Sequence, residues 1–203
     1  MKWIYWAGYN TFKCLGRALF DLQVVHPERL IQDQPVLIAA NHESFVDPPL
    51  IGVSYDEEIH YLARKTLFKG PTKWLYPRWN AIPVDQENPD MSSLKTVIKK
   101  LKEGKRVLVF PEGERTLDGS LGAGQPGIGL IVSKAKVPVQ PIRIVGARQA
   151  LPRGSGRMKC HPIRIIVGEP IYFDEARLKA KGKEAYQSIS QEIMDAVGAL
   201  ELP

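Results

Sequence analysis

Cysteine is scarce in this chain: Cys14 and Cys160 are the only thiols among 203 residues. Two cannot build a disulfide framework, and no grouping of Cys and His has zinc-site spacing, so no metal is expected. Reduced thiols facing the cytosol are the simplest reading. Long apolar runs are missing as well. Nothing reaches the ~18 uninterrupted apolar residues of a standard transmembrane helix. The segment Met1 to Val25 lacks the clean apolar core and small-residue cleavage site of a secretory signal. Internal repeats, linkers and low-complexity tracts are absent. With no basic–aromatic recognition signature either, nucleic acid is not an expected partner.

What is present is an ordinary globular composition, 44% hydrophobic and 25% charged. The length suits one domain with a sizeable core. A balance of 28 basic against 22 acidic residues gives a formal charge of +6. That favours anionic partners such as lipid headgroups, phosphorylated metabolites or an acidic carrier protein. Residues 1–30 read as an N-terminal amphipathic helical segment and residues 31–203 as the main domain. In the first segment Trp3, Ile4, Tyr5, Trp6, Tyr9, Phe12 and Leu15 are interrupted by Lys2, Lys13 and Arg17. Such a mixture fits a helix lying in a bilayer interface. It equally fits an amphipathic helix packed on the domain's own core.

Periodicity organises the rest. Apolar runs at Pro35–Ala40, His60–Ala63, Ala81–Val84, Arg106–Phe110, Val139–Val145 and Ile163–Val167 predict strands. Leu94, Val97, Ile98 and Leu101 are spaced for a helix over Met91–Glu103, with Gly104 as its stop. A helix is predicted to open near Pro48, another to follow the glycine-rich stretch Gly119–Gly129, and a closing one to run over Glu175–Leu200. Strands alternating with helices give an α/β fold, a single domain with a mixed, largely parallel sheet flanked by helices. Sites in such sheets lie at the carboxyl ends of the strands.

Two polar segments follow predicted strands. In Asn41-His42-Glu43-Ser44-Phe45-Val46-Asp47-Pro48, a histidine and an aspartate stand five positions apart. A loop can fold that carboxylate onto one imidazole nitrogen and leave the other free as a general base. A substrate hydroxyl would then supply the nucleophile. Asp47 is also well placed as a helix N-cap before Pro48. In Phe110-Pro111-Glu112-Gly113-Glu114-Arg115-Thr116, Arg115 offers a planar fork suited to a phosphate. Glu112 is expected to hold that arginine or a neighbouring lysine.

Together, in order and separation, NHESFVDP (41–48) and FPEGERT (110–116) resemble the 1-acylglycerol-3-phosphate acyltransferase family. The segments Ala81-Ile82-Pro83-Val84-Asp85, Val137-Pro138-Val139-Gln140-Pro141-Ile142 and Gly168-Glu169-Pro170-Ile171 agree with it. The resemblance spans about Pro35 to Ile171. It implies an O-acyltransferase needing no cofactor, with acyl-coenzyme A or acyl-acyl-carrier-protein as co-substrate and a lysophospholipid as acceptor. His42 would act as general base oriented by Asp47, and Glu112, Gly113 and Arg115 would bind the acceptor's phosphate. Arg64 and Lys65 resemble a further phosphate-holding basic position. The oxyanion would be met by N–H groups of the helix after Asp47 or of the Gly113 turn. Glu114, Gln86 and Gln125 depart from the family's pattern and lower the positive character of the acceptor site. Another lysolipid or a lipid-like alcohol is therefore an open alternative, as is a non-catalytic lipid-binding homologue. The expected location is peripheral or monotopic, on the cytoplasmic face of a membrane.

Overall fold

The computed structural model describes residues 3–85 and 91–202. Seven strands form one sheet: β1 (Gln23–Val25), β2 (Leu37–Ala40), β3 (Ile59–Arg64), β4 (Ala81–Val84), β5 (Arg106–Val109), β6 (Val139–Val145) and β7 (Arg164–Val167). Their order is β1-β7-β6-β2-β5-β3-β4. Every neighbouring pair is parallel except β6 and β7. Helices are α1 (Trp3–Phe20), α2 (Asp47–Gly52), α3 (Thr72–Leu75), α4 (Met91–Lys102), α5 (Pro126–Ala135), α6 (Ala147–Ala150), α7 (Glu175–Lys179) and α8 (Lys183–Gly198).

The sheet is covered on both faces, which explains why β2 and residues 107–109 of β5 are apolar throughout instead of alternating. In β2, Ile38 and Ala40 enter one core with Phe20 of α1, Leu50 and Ile51 of α2, and Ala147 and Ala150 of α6. Leu37 and Ala39 enter the other, with Val97 and Leu101 of α4, Ile128 and Ile131 of α5, and Ile189 and Ile193 of α8. In β5, Leu108 serves the first core and Val107 and Val109 the second. Within the second core, α5 and α8 are in close contact at Gly129. A Cβ there would collide with the carbonyl oxygen of Tyr186 in α8. Ser190 of α8 works into the same contact, its hydroxyl donating to Gln125 O at 2.8 Å and accepting from Gly129 N at 2.9 Å.

The single-domain, largely parallel α/β expectation agrees with this architecture, and several details differ. A three-residue strand, β1, lies inside the segment expected to be helical through Val25. Positive φ at Asp21 ends the helix before it. The expected boundary at residue 30 therefore falls between two strands of one sheet. The closing helix is two helices, α7 and α8, separated at residues 180–182. The helix after the glycine-rich stretch begins at Pro126, before Gly129, because proline suits the first turn. Short 3-10 turns at Lys65–Leu67 and Tyr76–Trp79 flank α3, a stretch that carries no clear sequence period. Among the described residues no helix is long and apolar enough to cross a membrane.

Gly129→Ala should lower stability by about 1–3 kcal/mol through overpacking. Thermal unfolding measures it, and an unchanged midpoint would mean that α5 and α8 separate at no cost.

Candidate active site

Because β2 and β5 are adjacent and parallel, with Ala39 opposite Val109, the two loops leaving their carboxyl ends emerge side by side. Asn41 fixes the first loop to the sheet. Its side-chain amide donates to Ile144 O at 2.9 Å and accepts from Ile144 N at 2.8 Å, extending the ladder by one side chain. The loop then folds back on itself. Asp47 Oδ2 accepts from the Glu43 and Ser44 backbone N–H groups at 2.7 Å each, and lies 2.7 Å from His42 Nδ1. Asp47 is fully buried, whereas the His42 side chain keeps 18% of its surface exposed. A carboxylate accepting at Nδ1 holds the proton there, leaving Nε2 as the basic nitrogen toward solvent. Phe110 stacks on the imidazole, with ring centroids 3.8 Å apart and planes 13° from parallel. The ring is thus fixed in position by Asp47 and in plane by Phe110.

The second loop is tied to the first by Glu112. Its Oε1 accepts from His42 N at 2.8 Å and its Oε2 from Gly122 N at 2.8 Å. This corrects the expectation that Glu112 holds an arginine or lysine: both of its oxygens serve backbone. Thr116 N donates to His42 O at 2.8 Å, closing the junction. Gly113 takes φ +80°, a left-handed conformation that makes glycine the fitting residue at this turn.

The N-cap expectation for Asp47 is also corrected. Val46 occupies the cap of α2 and Asp47 its first turn, with the carboxylate turned back to the residues before it. Several of the N–H groups expected to meet the oxyanion are already engaged. Pro48 and Pro49 have no N–H, Asp47 N donates to Ser44 O, Leu50 N to Val46 O, and Gly113 N to Phe110 O.

Arg115 makes no ion pair among the described residues. Burial, then the neighbouring Arg153 and Arg64 guanidiniums, hold its pKa below the ordinary arginine value, with Asp47 opposing. It stays cationic near neutral pH. Arg64 thus shares the electrostatic neighbourhood of Arg115, while Lys65 turns to Asp85 at 3.9 Å. Arg153 carries no expectation in the sequence, yet it donates to Glu114 Oε2 at 3.0 Å and to Arg115 O at 2.7 Å. The unusual acid at position 114 is therefore paired, and its charge offset. Gln125 caps α5, and its backbone N–H donates to Pro111 O at 2.8 Å. Gln86 lies outside the described residues. Glu43 supports the site from behind by accepting from Arg148 N at 3.0 Å. Burial raises its pKa, opposed by that N–H.

A buried carboxylate, a histidine with one free nitrogen and a group of guanidiniums meet at the strand ends. The chain belongs to the acyltransferase family, which matches residues 21–145, and it is an O-acyltransferase. It is 34% identical over 199 residues to the 1-acyl-sn-glycerol-3-phosphate acyltransferase of Bacillus subtilis (strain 168), covering 95% of this chain and 96% of that one. It is 30% identical over 148 residues to the chloroplastic 1-acyl-sn-glycerol-3-phosphate acyltransferase LPAT1 of Arabidopsis thaliana, covering 71% of this chain and 41% of the plant protein. Its fold matches the crystal structure of the 1-acyl-sn-glycerophosphate (LPA) acyltransferase, PlsC, from Thermotoga maritima. The TM-score is 0.72 at 25% identity, over 100% of this chain and 81% of that one.

If Arg115 meets a phosphate, Arg115→Ala removes a charge-assisted contact of about 1.5–3 kcal/mol. Transfer to phosphorylated acceptors should then fall by roughly 10- to 150-fold while neutral acceptors change little. Equal loss on both in a side-by-side assay would make Arg115 a structural residue.

Proposed function

We propose that the protein moves a fatty acyl group from an acyl thioester to the free hydroxyl of 1-acylglycerol-3-phosphate, giving phosphatidate. The observation that carries this is the 2.7 Å contact of His42 Nδ1 with a fully buried Asp47. Nε2 takes the acceptor's hydroxyl proton as the oxygen attacks the thioester carbonyl. The C–S bond breaks when the tetrahedral intermediate collapses, and the imidazolium returns the proton to the leaving sulfur. Attack is direct, so no acyl-enzyme forms. Asp47 stabilises the imidazolium and keeps its orientation.

Arg115 and Arg64 receive the acceptor's phosphate, and Arg153 holds the Arg115 backbone in place for it. Gly113 shapes that loop. Glu112 contributes by joining the two loops, which keeps base and phosphate site at a fixed separation. Lys65 adds positive charge at the rim. Acyl-coenzyme A and acyl-acyl-carrier-protein both fit as donors to a chain of positive net charge.

The enzyme works at a membrane surface, where a lysophospholipid resides. Helix α1 supports both readings of the N-terminal segment at once. It buries Tyr5, Gly16 and Phe20 against the domain, while Trp3, Trp6 and Leu15 stay exposed around the rest of its circumference. The exposed side is suited to the headgroup region. Exposed free thiols at Cys14 and Cys160 fit the reducing, cytoplasmic face.

His42→Ala should lower phosphatidate formation from lysophosphatidate at least ~100-fold, with either donor. Near-normal turnover by that variant would remove His42 from the mechanism. Transfer to a different lysolipid, lost in the same variant, would keep the chemistry and replace the acceptor.

A further inference from the structure

Acidic residues avoid two stretches of the sequence. Residues 1–20 and 59–84 contain eight of the 28 lysines and arginines and none of the 22 aspartates and glutamates. The rest of the chain holds 20 basic against 22 acidic residues, so the positive net charge belongs to these two stretches. The basic residues are spread along the sequence; it is the absence of acids that marks the two segments.

The fold brings the stretches together. Trp79 is the joint: its indole N–H donates to Ile4 O at 3.2 Å, its ring lies against Gly8, and Phe12 meets it edge-on at 6.0 Å. From that joint the second stretch leads back through Tyr76 and Phe68, whose rings pack in series behind Trp79. At its surface stand Lys69, Lys73 and Trp74, all exposed, with Trp74 at 53%. Arg78 lies 4.1 Å over the Trp74 ring and donates to Trp74 O at 2.7 Å, so the exposed indole is held and not loose. This stretch begins where β3 ends, at the same end of the parallel strands as the loop carrying His42.

We propose that residues 65–79 form a second membrane-contacting element, which together with α1 makes one composite face for an anionic bilayer surface. The inference rests on the reading that α1 meets a membrane. An exposed indole beside an arginine suits the headgroup layer, where an amphipathic ring keeps one edge wet. Lys69 and Lys73 make no ion pair among the described residues, so they are attracted to anionic lipid with little internal compensation. Two contacts far apart in sequence also fix the rotation of the domain about α1, which a single helix leaves free. The strand ends carrying His42 are thereby turned toward the lipid from which the acceptor comes.

The test uses the full chain and sedimentation with vesicles of phosphatidylcholine containing phosphatidylglycerol, beside vesicles of phosphatidylcholine alone. Lys69→Ser/Lys73→Ser/Trp74→Ser should weaken binding to the anionic vesicles by at least about tenfold. Its unfolding midpoint and its activity in detergent micelles should be unchanged. Lys69→Glu/Lys73→Glu, which retains the indole, should weaken anionic binding further. Trp3→Ser/Trp6→Ser reports on α1 separately. Release of that variant alone, with the 69/73/74 variant bound as wild type, overturns the composite face and spares α1. Unchanged binding by all variants overturns both readings. Equal loss on both kinds of vesicle overturns the anionic preference. Full vesicle binding with activity lost only from acyl-acyl-carrier-protein overturns the membrane in favour of a protein partner.

Discussion

One oxygen of Asp47 organises the catalytic end of the molecule. An ionised carboxylate with no exposure is costly to bury unless donors surround it. Here the Glu43 and Ser44 N–H groups and His42 Nδ1 converge on Oδ2. The backbone donors come from the residues immediately after the histidine, so the same tight loop that satisfies Oδ2 also places the imidazole. Removing the loop's curvature would leave both Oδ2 unsatisfied and the imidazole unoriented. Local folding and site geometry are one event at this position.

The sheet supplies what the loop cannot. Placing β2 beside β5 sets the histidine loop against the Phe110–Thr116 loop. Phe110 covers the imidazole face, and Glu112 links the two loops through His42 N and braces its own stretch through Gly122 N. Asn41 anchors the opposite side to β6. Hydrogen bonds from charged groups to backbone exceed those between neutral groups, roughly 1.5–3 kcal/mol against about 1. A glutamate is therefore a firmer link here than an amide or a hydroxyl.

Much of this was legible in the sequence because the relevant distances are short. His42 and Asp47 are five positions apart, and strands such as β2 announce themselves as short apolar runs. The α/β class follows from those runs. What escaped had no local signal. Strand β1 is three residues long and is defined by its pairing with β7, far along the chain. Arg153 lies in a loop nearly forty residues beyond Glu114, and only the folded chain makes them partners. Glu112 was recognisable as part of a motif, but its role was misread because a carboxylate beside an arginine suggests an ion pair. Asp47 looked like a helix cap for a similar reason, since a proline followed it. The split between α7 and α8 hides in a polar stretch that fits a helix as well as a turn.

The double proline at the start of α2 has a consequence for how such an enzyme changes over time. A helix that opened with free N–H groups would offer an anion a cradle built from backbone, insensitive to which side chains surround it. Pro48 and Pro49 close that option at α2, which leaves side chains such as Arg115 as the cationic groups beside His42. Side chains are replaced by single codon changes, whereas a backbone cradle is not. A site whose charge is set by side chains can therefore be retuned one substitution at a time, while the loop holding His42 is left untouched.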